Sequence, residues 1–217
     1  FLLNNRGAIA PGYLADFAVI DNFKDFNVEM VFKKGVLYWN NGELRDFDAP
    51  QIEEYLDKRA HDTFHVATLT PDDFRDTRQR GVLGMVPGEI VTTDAGYADK
   101  IDLENDILKI AVIERHKNTH HIGIGYIKGY GLKSGAVATS ISHDSHNIIV
   151  VGTNEEDIAA AANRVVELGG GIVVLDHGEV LGEVRLQIAG IMSEEPLVDV
   201  NRCLLYTSPS PRDRQKS

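Results

Sequence analysis

The sequence is poor in cysteine, in long apolar runs and in positive charge. One cysteine among 217 residues excludes an intrachain disulfide framework and a multi-cysteine zinc site. No apolar run approaches the roughly 20 residues that a membrane-spanning helix needs, and no signal peptide opens the sequence. Lysine and arginine number 22 against 33 aspartates and glutamates, a balance that repels phosphate backbones and anionic lipids. We therefore predict a cytoplasmic globular protein that binds neither nucleic acid nor membranes.

The pattern of apolar residues predicts an α+β fold. Short strands separated by glycine- and asparagine-containing turns predict a small antiparallel β-sheet in residues 1–45. Residues 46–62 are predicted to form a linker with a helix at 51–58. Residues 63–202 are predicted to form an α/β-layered domain with one well-capped helix at 158–168. The strands predicted in this domain are 88–93, 107–114, 121–127, 147–151, 172–175 and 180–186.

Both ends of the sequence are unusual. Phe1 stands where an initiator methionine is expected, and the sequence begins in the middle of a pattern of residues. We therefore expect a truncated N-terminus. The apolar residues of the 203–217 segment recur with neither the spacing of a helix nor that of a strand. They can be back-translated into a DNA sequence that resembles a transposon-end adapter from sequencing libraries. We predict that this segment is a non-native, adapter-derived tail; a natural disordered tail is the alternative.

The densest group of polar side chains lies at residues 140–147. It combines two histidines, one aspartate, one asparagine and three serines, which are costly to bury unless each finds a partner. Imidazole and carboxylate groups together suit proton transfer near neutral pH or metal ligation. Neighbours in a strand face opposite sides, so His143, Asp144 and His146 can act together only from a loop at a strand end. We predict a functional loop; a loop held by side-chain hydrogen bonds to its own backbone is the alternative.

A second polar segment, residues 114–121, allows two interpretations. Arg115 or Lys117 could hold an anion, and at most one of the neighbouring His120 and His121 can join a given site. An exposed, solvated turn explains the same residues equally well.

Other histidine- and glycine-containing segments do not match the patterns of known metal or phosphate sites. His61 and His65 lie four residues apart, but residues 62–64 between them are not predicted to be helical and no HExxH pattern is present, so we predict structural roles. His177 is predicted to be exposed in a hairpin turn. The glycines at 169–171 lack the spacing of a phosphate-binding loop and are predicted to end a helix. The HxE and PCxxC signature of zinc-dependent nucleobase deaminases is missing.

Three segments carry a specific resemblance to one family. They are 129–136 (GYGLKSGA), 142–152 (SHDSHNIIVVG) and 188–193 (IAGIMS), and they look like the C-terminal part of bacterial adenine deaminases of the metal-dependent amidohydrolase superfamily. A more generic segment, 7–16, resembles the return from an amidohydrolase barrel into a small β-sandwich. The resemblance covers about residues 7–201. It departs at Gln187, where the family tends to have proline, which affects a turn.

The resemblance implies hydrolysis of adenine to hypoxanthine and ammonia in purine metabolism. A divalent metal, manganese or iron, lowers the pKa of the attacking water in such enzymes. Its ligands lie in a (β/α)8 barrel, which needs about 250 residues, so we expect the barrel to be missing here and assign no catalytic or main-site metal residue. Residues 1–45 are then a remnant of the β-sandwich. We expect the intact enzyme to be a homo-oligomer and this piece alone to be inactive.

The resemblance also gives the 140–147 loop a specific role. We hypothesise that His143, Asp144, His146 and Asn147 border the purine pocket, with His120 as a further candidate. One alternative is a domain that only scaffolds or assembles subunits. Another is an auxiliary metal site formed by the two histidines and Asp144. A third is a different amidohydrolase that acts on another heterocycle.

Overall fold

The computed structural model describes residues 4–46 and 51–207, the last three of them as backbone only. It divides into two compact units, Phe1–Ile52 and Glu53–Ser217. Both contain β-sheet and the second also contains helices, so the predicted α+β class is confirmed. No helix within the described ranges is long and apolar enough to cross a membrane.

The first unit contains a four-stranded antiparallel sheet in the order β1-β2-β3-β4. Its strands are β1 Phe17–Ile20, β2 Val28–Lys33, β3 Val36–Asn40 and β4 Glu43–Leu44. Lys34 and Gly35 both have positive φ angles, of 48° and 74°, as a two-residue hairpin turn with the twist of the flanking strands requires. The rings of Phe17 and Phe32 stack across β1 and β2 with centroids 4.8 Å apart. The predicted small antiparallel sheet is therefore present.

The second unit is built on an eight-stranded sheet in the order β12-β11-β9-β10-β7-β8-β5-β6. All neighbouring strands are antiparallel except β5 and β8, which are parallel. The strands are β5 Arg80–Met85, β6 Thr92–Ala98, β7 Ile107–Ile113, β8 Ile122–Lys128, β9 Ala136–Thr139, β10 Ile148–Gly152, β11 Gly171–Asp176 and β12 Glu179–Arg185. The helices are α1 Glu54–His61, α2 Glu155–Glu167 and α3 Leu197–Thr207, with a short 3₁₀ helix at Pro71–Phe74.

Helix α2 covers one face of this sheet. It packs on β9, β10 and β11 and buries Ile158 and Val165 against Ile113, Ile148 and Val150. Alternate residues of β7 and β10 face the opposite side, where Leu108 and Val151 form a smaller buried cluster with Ile127 of β8. Asn154 caps α2 by accepting a hydrogen bond from the backbone N–H of Asp157 at 2.7 Å, so the predicted cap is confirmed, while the helix begins at Glu155, three residues before the predicted 158.

Several elements differ from the sequence predictions. The first helix is displaced by three residues from the predicted 51–58 and ends at His61, and residues 62–64 are not helical, as predicted. The strand predicted at 88–93 is observed at Thr92–Ala98, because Gly88 has a φ of 81° in the preceding turn. Strands β5 and β9 and helix α3 were not predicted. The last five residues of α3 belong to the 203–217 segment, whose adapter origin stays a prediction; residues 208–217 lie outside the described residues.

Candidate functional site

The 140–147 segment forms the connection between β9 and β10, as the polar cluster predicted. The backbone N–H of His146 donates to the carbonyl of Ser142 at 2.7 Å and closes a tight turn. The hydroxyls of Ser142 and Ser145 lie 3.0 Å apart within that turn. Asp144 and His146 both have positive φ angles, of 70° and 49°. Non-glycine residues adopt this conformation at a cost, which the surrounding contacts must offset.

Arg115 anchors the base of the loop. It follows β7 and its side chain is buried, with 2% of the residue exposed. Its guanidinium donates to three backbone carbonyls, those of His146, Thr63 at 2.7 Å and Ala189 at 2.9 Å. The same group lies 4.2 Å over the centre of the Phe64 ring. Burial lowers the pKa of Arg115 from its ordinary value. Because the guanidinium is engaged by backbone carbonyls of its own chain, the expectation that Arg115 could hold an anion is wrong.

Gly190 completes this anchor from the opposite side. Its φ is 73°, and a Cβ added there would lie 2.9 Å from the Phe64 ring and 3.0 Å from Nη2 of Arg115. Its carbonyl accepts a hydrogen bond from the buried hydroxyl of Ser140 at 2.5 Å. Two of the three segments that carry the family resemblance, 142–152 and 188–193, therefore meet at Arg115.

The turn at 114–121 is organised by Glu114. Its carboxylate accepts hydrogen bonds from the backbone N–H groups of His116 at 2.6 Å and Lys117 at 3.0 Å, and from the Thr119 hydroxyl at 2.8 Å. Burial acts to raise the pKa of Glu114, but the hydrogen bonds from Thr119 and the backbone outweigh it and lower this pKa to about 2. The turn places Nε2 of His116 2.9 Å from the carbonyl of Ser145. His116 is thus a loop-positioning residue that the sequence analysis missed.

The predicted site residues do not all come together. His143 and Asp144 lie at the tip of the loop with side chains 96% and 92% exposed, and their Nδ1 and Oδ1 atoms are 3.1 Å apart. The His120 ring contacts Asp73, which lies outside the loop, with 2.9 Å between Nε2 and Oδ1. Among these predicted site residues, His146 and Asn147 are the ones with buried polar side-chain atoms. The loop therefore has an exposed tip and a buried base.

The buried base carries two polar atoms without partners. Nδ1 of His146 and Oδ1 of Asn147 are inaccessible to solvent and make no hydrogen bond within the described residues. A buried polar atom left unpaired costs about 1–3 kcal/mol, and such atoms in native proteins call for an explanation.

The loop does not form a metal site in this structure. In the described part of the chain, two groups of at least three histidine or carboxylate side chains bring donor atoms within 4.8 Å of one another. They are Asp57, His61 and Glu194, and Asp157, Asp176 and His177. Neither includes a residue of the loop, so the auxiliary site of His143, Asp144 and His146 gains no support. His177 has a side chain 82% exposed in the β11–β12 turn, as predicted.

Comparison with known proteins identifies the family of the loop and its sheet. The family model described as "Adenine deaminase C-terminal domain" matches residues 88–206, more than half of the chain. The chain belongs to the adenine deaminase C-terminal domain family. The matched range contains the 140–147 loop and Arg115, so the resemblance predicted from the sequence is confirmed.

Curated relatives of this family are named adenine deaminase. The chain is 37% identical over 207 residues to "Adenine deaminase" of Lysinibacillus sphaericus, covering 90% of this chain and 35% of the relative. It is 39% identical to "Adenine deaminase 2" of Carboxydothermus hydrogenoformans, covering 92% and 36%. It is 40% identical to "Adenine deaminase" of Brucella melitensis, covering 94% and 36%. The chain thus spans about a third of the length of these relatives.

Proposed function

We propose that this chain is the C-terminal part of a cytoplasmic adenine deaminase, which hydrolyses adenine to hypoxanthine and ammonia in purine metabolism. The proposal depends on the 37–41% identity to proteins of that name over at least nine tenths of the chain. Because the chain covers about a third of those relatives, the activity is proposed for the longer protein and not for this piece alone.

The proposed enzyme is metal-dependent, with manganese or iron as the divalent ion, which lowers the pKa of a bound water when present. The residues of the candidate loop do not fit such an ion, because its histidines and aspartate do not converge on a common point. We therefore propose that the ion is held by a part of the longer protein outside this chain, and we assign the loop a role in substrate contact.

We propose that His146 and Asn147 hydrogen-bond the purine. The exocyclic amine of adenine is a donor and its ring nitrogen N7 an acceptor, a pair that asparagine amides recognise in proteins. Oδ1 of Asn147 and Nδ1 of His146 have no partner among the described residues; once a movement of the loop exposes them, Oδ1 would accept from the amine and Nδ1 would pair with a ring nitrogen. His143 and Asp144 are proposed to close over the purine from the solvent side, and His120 to border the pocket while held by Asp73.

The proposed activity is tested on the intact protein that carries this chain. We expect ammonia release from adenine and none from guanine or cytosine, measured with each base at the same concentration. Ammonia from guanine or cytosine without any from adenine would identify a different amidohydrolase and contradict the proposal.

The proposed role of His146 is tested by His146→Asn in the intact protein. Asparagine tolerates the positive φ at this position, so the loop keeps its backbone conformation. We expect kcat/KM for adenine to fall by about tenfold or more, as for the loss of one substrate hydrogen bond. His177→Asn is the matched control, because His177 has a φ of 48° and an exposed ring. Equal activity of the two variants would make the loop a structural connection.

We also propose that the intact enzyme is a homo-oligomer. Strands β5 and β6 leave Leu83, Met85 and Tyr97 between 45% and 74% exposed, and apolar surface of this kind is common at interfaces between subunits. Sedimentation velocity is expected to show a species larger than the monomer. A monomer over the whole concentration range used for activity would contradict this.

A further inference from the structure

The face of the eight-stranded sheet opposite α2 is apolar on three neighbouring strands. Residues of β7, β8 and β10 alternate between the side that packs on α2 and this second side. The residues of the second side on these strands are Leu108, Ile110, Val112, Gly123, Gly125, Ile127, Ile149 and Val151. An antiparallel sheet with one face in water alternates apolar with polar residues, whereas none of these residues is polar. This side therefore has the composition of a face that is covered.

Part of this face lies open beside the 140–147 loop. At the far end of the strands, Tyr130 and Leu132 pack on the face. At the end beside the loop, Val112 pairs with Ile149 on one side and with Gly123 on the other, in a row across the three strands. Val112 and Ile149 are half-buried and Gly123 is exposed. We call these three residues the open row.

The glycines of β8 leave room on this face. A Cβ added to Gly123 would meet no atom closer than the carbonyl oxygen of Val112, at 4.0 Å. A Cβ added to Gly125 would be in ordinary contact, 3.5 Å from the carbonyl oxygen of Gly81. Neither glycine has a positive φ angle, so the fold of this chain does not require glycine at either position. Glycine weakens a strand, and within one it often marks the close approach of another backbone.

The open row continues from the candidate loop. Ile149 follows Asn147 by two residues, and Val112 precedes Arg115 by three. This chain spans about a third of the length of its relatives, so most of the longer protein lies outside it. Under the proposed function, on which this step rests, the part that holds the ion lies beside the loop, because the loop contacts the substrate. A surface that continues from the loop then meets the same part.

We propose that the open row docks against the part of the longer protein outside this chain, and that this part is apolar and uncharged where it meets the row. A charge placed against Val112 and Ile149 would lose its hydration without gaining a partner. The contact holds the base of the loop beside the part that binds the ion. It uses other residues than Leu83, Met85 and Tyr97, for which we propose contacts between subunits.

The proposal is tested by photo-crosslinking in the intact protein. A diazirine amino acid of the size of leucine replaces Val112, and the same amino acid replaces Lys117, on the exposed turn, as the matched control. Mass spectrometry then identifies the linked peptides. We expect the probe at 112 to link to a peptide of the same polypeptide outside the 217 residues, and the probe at 117 to react with water. Links from 112 only to a second copy, visible as a band of twice the mass, or no link outside the 217 residues, would overturn the proposal.

Gly123→Asp tests the apolar character of the contact. The chain itself has room for the side chain, so the charge disturbs the contact and not the strand. We expect subtilisin to separate this chain from the intact protein at least about tenfold faster, because an unpaired charge would be buried at the contact. Lys117→Asp is the control and should be cleaved at the rate of the unaltered protein. An unaltered rate in Gly123→Asp would overturn the proposal.

The adenine assay separates this proposal from the proposed function. Ammonia release from adenine with no crosslink from 112 would overturn the docking alone. The expected crosslink without ammonia release would overturn the activity alone.

Discussion

The turn at 114–121 and the loop at 140–147 have similar compositions but different hydrogen bonding. Each contains histidines, at least one hydroxyl, an asparagine and an acidic residue. In the first, Glu114 accepts four hydrogen bonds and Oδ1 of Asn118 accepts from the N–H of Ala67 at 3.0 Å. In the second, Nδ1 of His146 and Oδ1 of Asn147 are buried without partners in the described part of the chain.

This difference suggests that the 114–121 turn supports the fold, whereas the 140–147 loop is the candidate for substrate contact. The polar groups of the turn are used within the chain, and through Arg115 and His116 they hold the loop at the carbonyls of His146 and Ser145. The loop keeps two buried polar atoms that have no partner among the described residues. Composition alone therefore does not distinguish the two roles, whereas the state of the individual hydrogen bonds does.

The largest expected effect is that of Arg115→Met. Methionine fills a similar volume but leaves three buried carbonyls without donors, and we expect the free energy of unfolding to fall by about 3–5 kcal/mol. Urea unfolding measures this. Lys117→Met, on the exposed part of the same turn, is the control and should change stability by less than about 0.5 kcal/mol. If Arg115→Met cost no more than Lys117→Met, the anchor would not hold the loop.

Asn147→Ala is expected to separate activity from stability. It removes a buried acceptor that has no partner, so the free energy of unfolding should stay the same or rise. In the intact protein, kcat/KM for adenine should fall by about 10–100-fold, or about 1.4–2.8 kcal/mol. Asn118→Ala should do the reverse, because Asn118 is bonded within the chain: lower stability with unchanged kcat/KM. The same response from both variants would remove the distinction between turn and loop.

The response of the turn to acid is a smaller effect. The pKa of Glu114 is lowered to about 2 from an ordinary value of 4.5. Its contribution to stability is therefore fully present above about pH 4.5 and is lost as the pH falls toward 2. We expect Glu114→Gln to flatten the decline of stability in that interval, measured by urea unfolding at several pH values. Glu104→Gln, at an exposed position, should leave the profile unchanged. A steep decline in Glu114→Gln equal to that of the unaltered chain would argue against this role.

His143→Ala is expected to have the smallest effect. Because its side chain is 96% exposed, stability should change by less than about 0.5 kcal/mol. Its proposed contact with the purine comes from the solvent side, so kcat/KM should fall by less than in Asn147→Ala. A larger loss for His143→Ala than for Asn147→Ala would place the substrate contact at the tip and not at the base.

The elements that could be predicted from the sequence are those whose apolar residues recur with a clear spacing or whose first turn has a recognisable capping residue. Helix α2 begins at a side-chain cap, and β7, β8, β10, β11 and β12 have alternating or continuous apolar residues, so all six lie close to their predicted positions. Strand β9 consists of small residues, and β5 contains Gly81 and Gly84, so neither shows a strand pattern. The position of the 140–147 loop at a strand end also followed from its sequence.

The anchor of the loop could not be predicted in this way. Arg115 bonds carbonyls of residues 63, 146 and 189, which are brought together only by the tertiary fold. A charged residue in a polar segment is usually exposed, and here it is buried because three distant backbone carbonyls converge on it. The same holds for His116, whose partner is the carbonyl of Ser145. Long-range backbone partners leave no local signal in a sequence.

The most direct test is a crystal structure of the chelator-treated, inactive intact protein with adenine bound. We expect Oδ1 of Asn147 or Nδ1 of His146 to lie within hydrogen-bond distance of the purine, about 2.7–3.2 Å. A structure in which the purine binds elsewhere, with both atoms bonded to other parts of the protein, would contradict it.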